Sequence, residues 1–367
     1  MKENNFKASY SLSFVLILAY IFTVNIGLEK LDLWGATKYY HNWVEDISNL
    51  NTSLSSLVKS YQLSISKISA PEPISGIFIY FLTRLPISNF YIFHLCNILF
   101  LILMSNFIYV TRKNTIIYLL LIISLITGYY EYVLLHMTHR FKIAIIFFAI
   151  SIYIVNKKKR ISEMFLILSL LTHFSMILVL PILLMLKKIG IKKIPNFSFR
   201  IMSIFSIILI SSFILIIPKT DYDFILFTFL TKFNQSFIGS TTSLAVNNFI
   251  NSIDRNLILT TLILSLTFIF LLFKVTRIKK VTFKLETWLF LIFTFIISTL
   301  IIIGSSRLLM VYYNVLFIIY IANYLYLSKS YNRAFLLFLS PLFIYNLYHG
   351  FSKGPFSIVY NQIFNLI

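Results

Sequence analysis

Apolar runs long enough to enter a lipid bilayer recur along the whole chain, and this feature limits the possible folds more than any other. They lie at about 11–28, 74–83, 88–110, 115–128, 141–155, 162–172, 175–186, 201–217, 257–273, 287–304, 308–327 and 334–348. In hydrocarbon every backbone polar group must be satisfied internally, so only helices and closed barrels can span. The runs lack period-two alternation and are too long for barrel strands, which leaves an all-α, polytopic integral membrane protein with about 10–12 membrane helices. A hydrophobic share of 59% agrees with that class. The first run follows a short basic start and has no small-residue cleavage site after it, so it reads as a retained helix.

The formal net charge is +20. In a soluble chain that would suggest nucleic acid, but here the basic residues bunch between apolar runs, as cytoplasmic-loop charge does, and no nucleic acid is expected. One segment tests the topology. "LLTHFSMILVLP", residues 170–181, sits between Lys157, Lys158, Lys159 and Arg160 on one side and Lys187 and Lys188 on the other. A single span over 162–186 would leave one cluster on the wrong side. A hairpin of two short helices turning near His173 keeps "TRK", "KKKR", "KKIGIKK", "KVTRIKK" and "KSYNR" together in the cytoplasm with the N-terminus. It then places 20 of the 32 Lys and Arg but only 3 of the 12 Asp and Glu on the cytoplasmic side. Each arm is about 17 Å long at about 1.5 Å per residue, short of a core of about 30 Å, so Thr172, His173 and Ser175 fall at mid-depth. The polar stretches 29–73 and 218–256 become outer loops of one membrane domain covering 1–367.

Few residues here can carry chemistry. Cys96 is the lone cysteine and there are 9 glycines, with no P-loop, GxGxxG, HExxH or GxSxG pattern. No close carboxylate pair supports a metal, and no cofactor is implied; any phosphate must be held by side chains. In "EYVLLHMTHRFKIA", His136, His139 and Arg140 share one face if the stretch is helical. Arg140 and Lys142 can alternatively be read as snorkelling anchors. Arg307 opens an inward-running helix followed by Tyr312, Tyr313 and Asn314. Arg255 ends the second outer loop beside Asp254, and Arg84 interrupts an apolar stretch just before Pro86. Arginine at outer ends runs against the positive-inside tendency, and its planar fork suits a pyrophosphate. Asp32 and Glu72 are candidate bases or metal ligands, or ordinary outer-loop charges. His173 is either a satisfied histidine at a helix break or a functional group, since ionisable residues at membrane depth are costly.

Taken together these residues resemble the EpsG-like group of Wzy-type oligosaccharide repeat-unit polymerases of O-antigen and exopolysaccharide assembly. The resemblance rests on Glu72-Pro73 before an apolar run, Arg140 with Ala144 opening a short helix, a basic turn, and "HFS" (His173, Phe174, Ser175) before a proline-containing run. Arg307 with Tyr312 and Tyr313 extends it, and Phe141 stands where the family usually has glutamine. It implies a GT-C-like membrane fold at the bacterial inner membrane, with an active site facing the periplasm. The implied partners are undecaprenyl-diphosphate-linked glycan donor and acceptor, membrane lipid, and a chain-length regulator protein. By this resemblance Arg140, Arg307, Arg255 and Arg84 would hold diphosphate, and His173 or His139 would act as base or hydrogen-bond orienter. Two alternatives stand beside it: a GT-C-type lipid-linked glycosyltransferase with Asp32 as base, and a lipid-linked oligosaccharide flippase.

Overall fold

The computed structural model describes residues 3–25, 36–68, 73–136, 138–173, 176, 183, 313–315, 317–319, 321 and 343–351. The chain divides into two compact units, one of Met1–Phe174 with Ile318–Leu325 and Phe343–Ile367, the other of Ser175–Phe317 with Tyr326–Leu342. Regular structure among the described residues is helical throughout. In the first unit the order is α1 (Glu3–Asn25), α2 (Ala36–Ser48), α3 (Leu54–Ile68), α4 (Pro73–Leu82), α5 (Asn89–Tyr109), α6 (Thr115–Thr127), α7 (Tyr129–His136), α8 (His139–Ile154) and α9 (Lys159–Thr172). Of the second unit, Tyr313 and Phe317 are buried and stack at 5.7 Å.

The stretch read as the first outer loop is built largely of helix. On α2, Trp43, Val44 and Ile47 turn inward at helical spacing while Asn42 and Glu45 face out. On α3 a seam of small residues, Ser56, Ser60 and Ser64, is buried and lets α4 approach closely. A Cβ on Gly76 of α4 would collide with the Ser64 hydroxyl and the Ser60 carbonyl.

Further along, α1 and α5 pack antiparallel, with Ser13 against Ser105 near one end and Tyr20 against His94 and Asn97 nearer the other. Asn114 caps α6 by accepting from the Ile117 amide at 3.2 Å, the usual service of a short polar residue at a helix start. The helix stops at Gly128, where a side chain would meet Glu131, Asn346 and the Ser124 carbonyl, and α7 continues at an angle of 47°. Helix α8 is buried on nearly every side, consistent with its almost uniformly apolar sequence.

Helix α9 folds back antiparallel along α8. Ser151 and Ser162 exchange hydroxyl-to-carbonyl hydrogen bonds of 2.8 Å each, and Ser169 donates to the Ala144 carbonyl at 2.7 Å. These small residues bring the two backbones close, and each hydroxyl has an acceptor at the contact. Among the described residues, Tyr91–Arg112 is long and apolar enough to cross a membrane, and the bent pair Thr115–Thr127 with Tyr129–His136 makes a second if taken as one span.

Candidate functional site

The first turn of α8 gathers the polar groups of this unit. His139 opens the helix and is buried. Its ring stacks on Phe93 of α5 at 3.9 Å and 20°, and Tyr40 of α2 stands edge-on to it at 5.0 Å and 88°. One turn later Lys142 is fully buried. Its Nζ donates to the Leu135 carbonyl at 2.8 Å and lies 3.1 Å from His139 Nδ1. Lys142 has no carboxylate partner among the described residues. His139 Nε2 is enclosed and has no hydrogen-bond partner among them either. Beside it, Arg140 is only partly buried and its Nε donates to the Tyr40 hydroxyl at 3.4 Å, a long and therefore weak bond.

Behind this turn lies a second polar layer. Tyr20 of α1 bonds to His94 Nδ1 and accepts from Asn97 Nδ2. The His136 ring lies 5.8 Å from Tyr20 and 5.0 Å from Tyr132. On α2, His41 meets the edge of Phe93 at 5.9 Å. Burial holds the His41 imidazole below its ordinary range, so it is neutral near pH 7.

His173 comes to the same end of the α8–α9 pair. It caps α9 in extended conformation, φ −151° and ψ 114°, with its amide still bonded to the Ser169 carbonyl at 3.2 Å. Its ring lies 5.4 Å from that of Phe141, edge to face. Phe141 therefore links His173 to the turn that carries His139 and Arg140.

Other sequence-derived candidates fare differently. His136, His139 and Arg140 do not project from one continuous helix, because α7 ends at His136 and α8 begins at His139. Thr138 between them adopts φ −111° and ψ 67°, and the Leu135 carbonyl left over by the break is taken by Lys142. Arg84 points its guanidinium at the C-terminal end of α2, donating to the carbonyls of Ser48 and Ile47 at 3.4 Å and to that of Leu50, with Tyr80 beneath it at 4.6 Å. Asp32, Glu72, Arg255 and Arg307 lie outside the described residues. Glu131 is buried elsewhere, accepting from Asn346 at 2.7 Å and Ser124 at 3.3 Å. No group of three His, Cys, Asp or Glu side chains among the described residues is arranged to hold a metal ion. Sequence reasoning missed Tyr20, Tyr40, His94 and Asn97. His94 and Asn97 gave a usable signal, polar residues three apart inside an apolar run.

The sequence model of the EpsG family matches residues 12–365. No curated protein and no solved structure matches the chain.

Proposed function

The chain belongs to the EpsG family, and from this premise we propose that it is a multi-pass membrane polymerase joining undecaprenyl-diphosphate-linked oligosaccharide units at the outer face of the bacterial inner membrane. The family is one of polymerase-type, glycosyltransferase-like proteins of polysaccharide biosynthesis. Exposed apolar stripes support a lipid setting: Phe14, Leu18 and Ile21 on α1, and Ile116, Leu119, Ile123 and Ile126 on α6. Stripes of this extent mark contact with lipid or a partner. Helices α8 and α9, about 24 Å and about 21 Å long by helical rise, fall short of a hydrocarbon core of about 30 Å. Their shared end, with His139, Arg140 and His173, then lies below the membrane surface, within the protein or a thinned, watered funnel.

The observation that carries the reading is a fully buried lysine with no carboxylate partner among the described residues, one turn from Arg140 and against His139. Burying a cation is costly unless an anion joins it. The substrate's diphosphate supplies that anion. In the reaction an acceptor hydroxyl oxygen attacks the donor's anomeric carbon, the bond to diphosphate breaks, and its electron pair leaves on the diphosphate oxygen. Arg140 stabilises that charge. His173 takes the hydroxyl proton, with Asp32 as the alternative base. Arg84, occupied with the end of α2, is assigned no phosphate.

The test is a glycan gel on a deletion strain, complemented or not. The strain lacking the gene should display single repeats without a ladder, and the wild-type gene should restore the ladder. Loss of even the single repeat would replace the polymerase with an earlier glycosyltransferase or a flippase.

A further inference from the structure

We infer that Lys142 is a positioning residue that holds His139 as its Nε2–H tautomer, so that His139 donates a hydrogen bond to a diphosphate oxygen and is not the base. The inference rests on the polymerase reading and assigns His139 one of the two roles left open by sequence. Lys142 Nζ is bonded to the Leu135 carbonyl, which only accepts, and to His139 Nδ1 at 3.1 Å. As an ammonium, the form that a diphosphate favours, Lys142 has three hydrogens and no lone pair, so Nδ1 is then the acceptor and the ring proton sits on Nε2.

That Nε2 is buried and has no hydrogen-bond partner among the described residues. Phe93 stacked on one face and the edge of Tyr40 against the ring hold its orientation. An enclosed donor without an acceptor is rare in a folded chain and calls for a ligand. At this turn the Arg140 guanidinium, the Lys142 ammonium and the His139 Nε2–H all offer hydrogens. A set made only of donors complements phosphate oxygens; it does not suit a hydroxyl that must give up a proton. Tyr40 both stands against His139 and accepts the long bond from Arg140. Diphosphate entry exchanges that weak bond for a charge-assisted one. His173, across Phe141, is left to take the proton.

A simpler role for Lys142 is capping the Leu135 carbonyl at the α7–α8 break, and the variants separate the two. Glutamine at 139 places an amide N–H where Nε2–H was but cannot act as a base. His139→Gln should keep polymerisation within about tenfold of wild type, whereas His139→Ala should lose about 100-fold or more, as removal of a transition-state donor does. Lys142→Met should cost at least about tenfold more with His139 present than in the His139→Gln background, because the lost charge is common to both while an amide has no tautomer to fix. An inactive His139→Gln at normal membrane level would make His139 the base, and an equal Lys142→Met cost in both backgrounds would make Lys142 a cap; either result overturns the inference. Nitrogen-15 NMR of ring-labelled protein in nanodiscs reads the tautomer without any reaction, with His139→Gln identifying the signal. Wild type should show unprotonated Nδ1 and protonated Nε2, and Lys142→Met a mixture. The reverse tautomer in wild type refutes the inference whatever the protein synthesises. The expected tautomer alongside failure of wild type to restore a ladder would overturn the diphosphate role and the polymerase reading together.

Discussion

Arg140 stands at the entrance of a buried cluster, and its Nε donates to the Tyr40 hydroxyl through a bond of 3.4 Å, long and therefore weak. Exchanging Tyr40 for a diphosphate gives it two parallel charged bonds. Lysine keeps the charge but loses that fork. Arg140→Lys should therefore lower polymerisation about tenfold and Arg140→Ala about 100-fold, read as ladder intensity at equal membrane level; a normal ladder from Arg140→Ala would remove the residue from the site. His173→Ala should insert normally and lose about 10²- to 10⁴-fold, the usual contribution of a general base. Arg84 behaves otherwise. Its exposed guanidinium caps α2, so Arg84→Ala should lower thermal stability by about 1 kcal/mol and leave the ladder intact. The grouping of His139, Arg140 and His173 was legible because ionisable residues inside apolar sequence are costly and stand out. Lys142 was not, since a lysine near a helix end also reads as a snorkelling anchor. Arg84 was misleading because its acceptors belong to a helix that the polar sequence 29–73 did not announce.

At the scale of elements, the short arm expected at 162–172 ends where α9 ends, at Thr172, while the second arm, 175–186, lies outside the described residues except at Met176 and Leu183. The break between α7 and α8 was not legible. "EYVLLHMTHRFKIA" holds no glycine or proline, and its loose carbonyl is satisfied by a lysine one turn into the next helix, a contact invisible to local propensity. The α8–α9 contact depends on size as well as hydrogen bonding. Ser169→Ala should cost about 0.6 kcal/mol, the average for a hydrogen bond between membrane helices, and Ser169→Leu about 1–3 kcal/mol through overpacking. Gly128→Ala should cost a similar amount, because its methyl would collide with the Ser124 carbonyl as well as with Glu131 and Asn346. Thermal aggregation of detergent-solubilised protein would measure all three, and equal midpoints for Ser169→Ala and Ser169→Leu would show that the two helices are not closely packed there.

At the scale of the molecule, the apolar runs announced a helical chain but not how the polar stretches fold, since α2 and α3 are amphipathic helices whose inward faces pack on one another and on α4 beneath a largely polar sequence. Charge bears on orientation instead. The proposed hairpin over 162–186 returns the chain to the side from which it entered, which keeps the lysines at 157–159 and those at 187–193 on one side of the membrane. Cys96 is buried and free, so Cys96→Ser gives a background in which new cysteines report alone. Lys158→Cys and Lys192→Cys should both resist a membrane-impermeant thiol reagent applied from outside and react once the membrane is opened. Thr52→Cys, at the exposed turn between α2 and α3, should react from outside without that step. If 162–186 instead crosses as a single span, exactly one of the two lysine positions becomes accessible. The break at His173 then lies within a single crossing and no longer turns the chain back, and the outer access that the proposed chemistry requires for His139, Arg140 and His173 has to come from elsewhere. Protection of both lysine positions together with labelling at Thr52 leaves the mid-depth turn as the way in for a diphosphate arriving from the outer face.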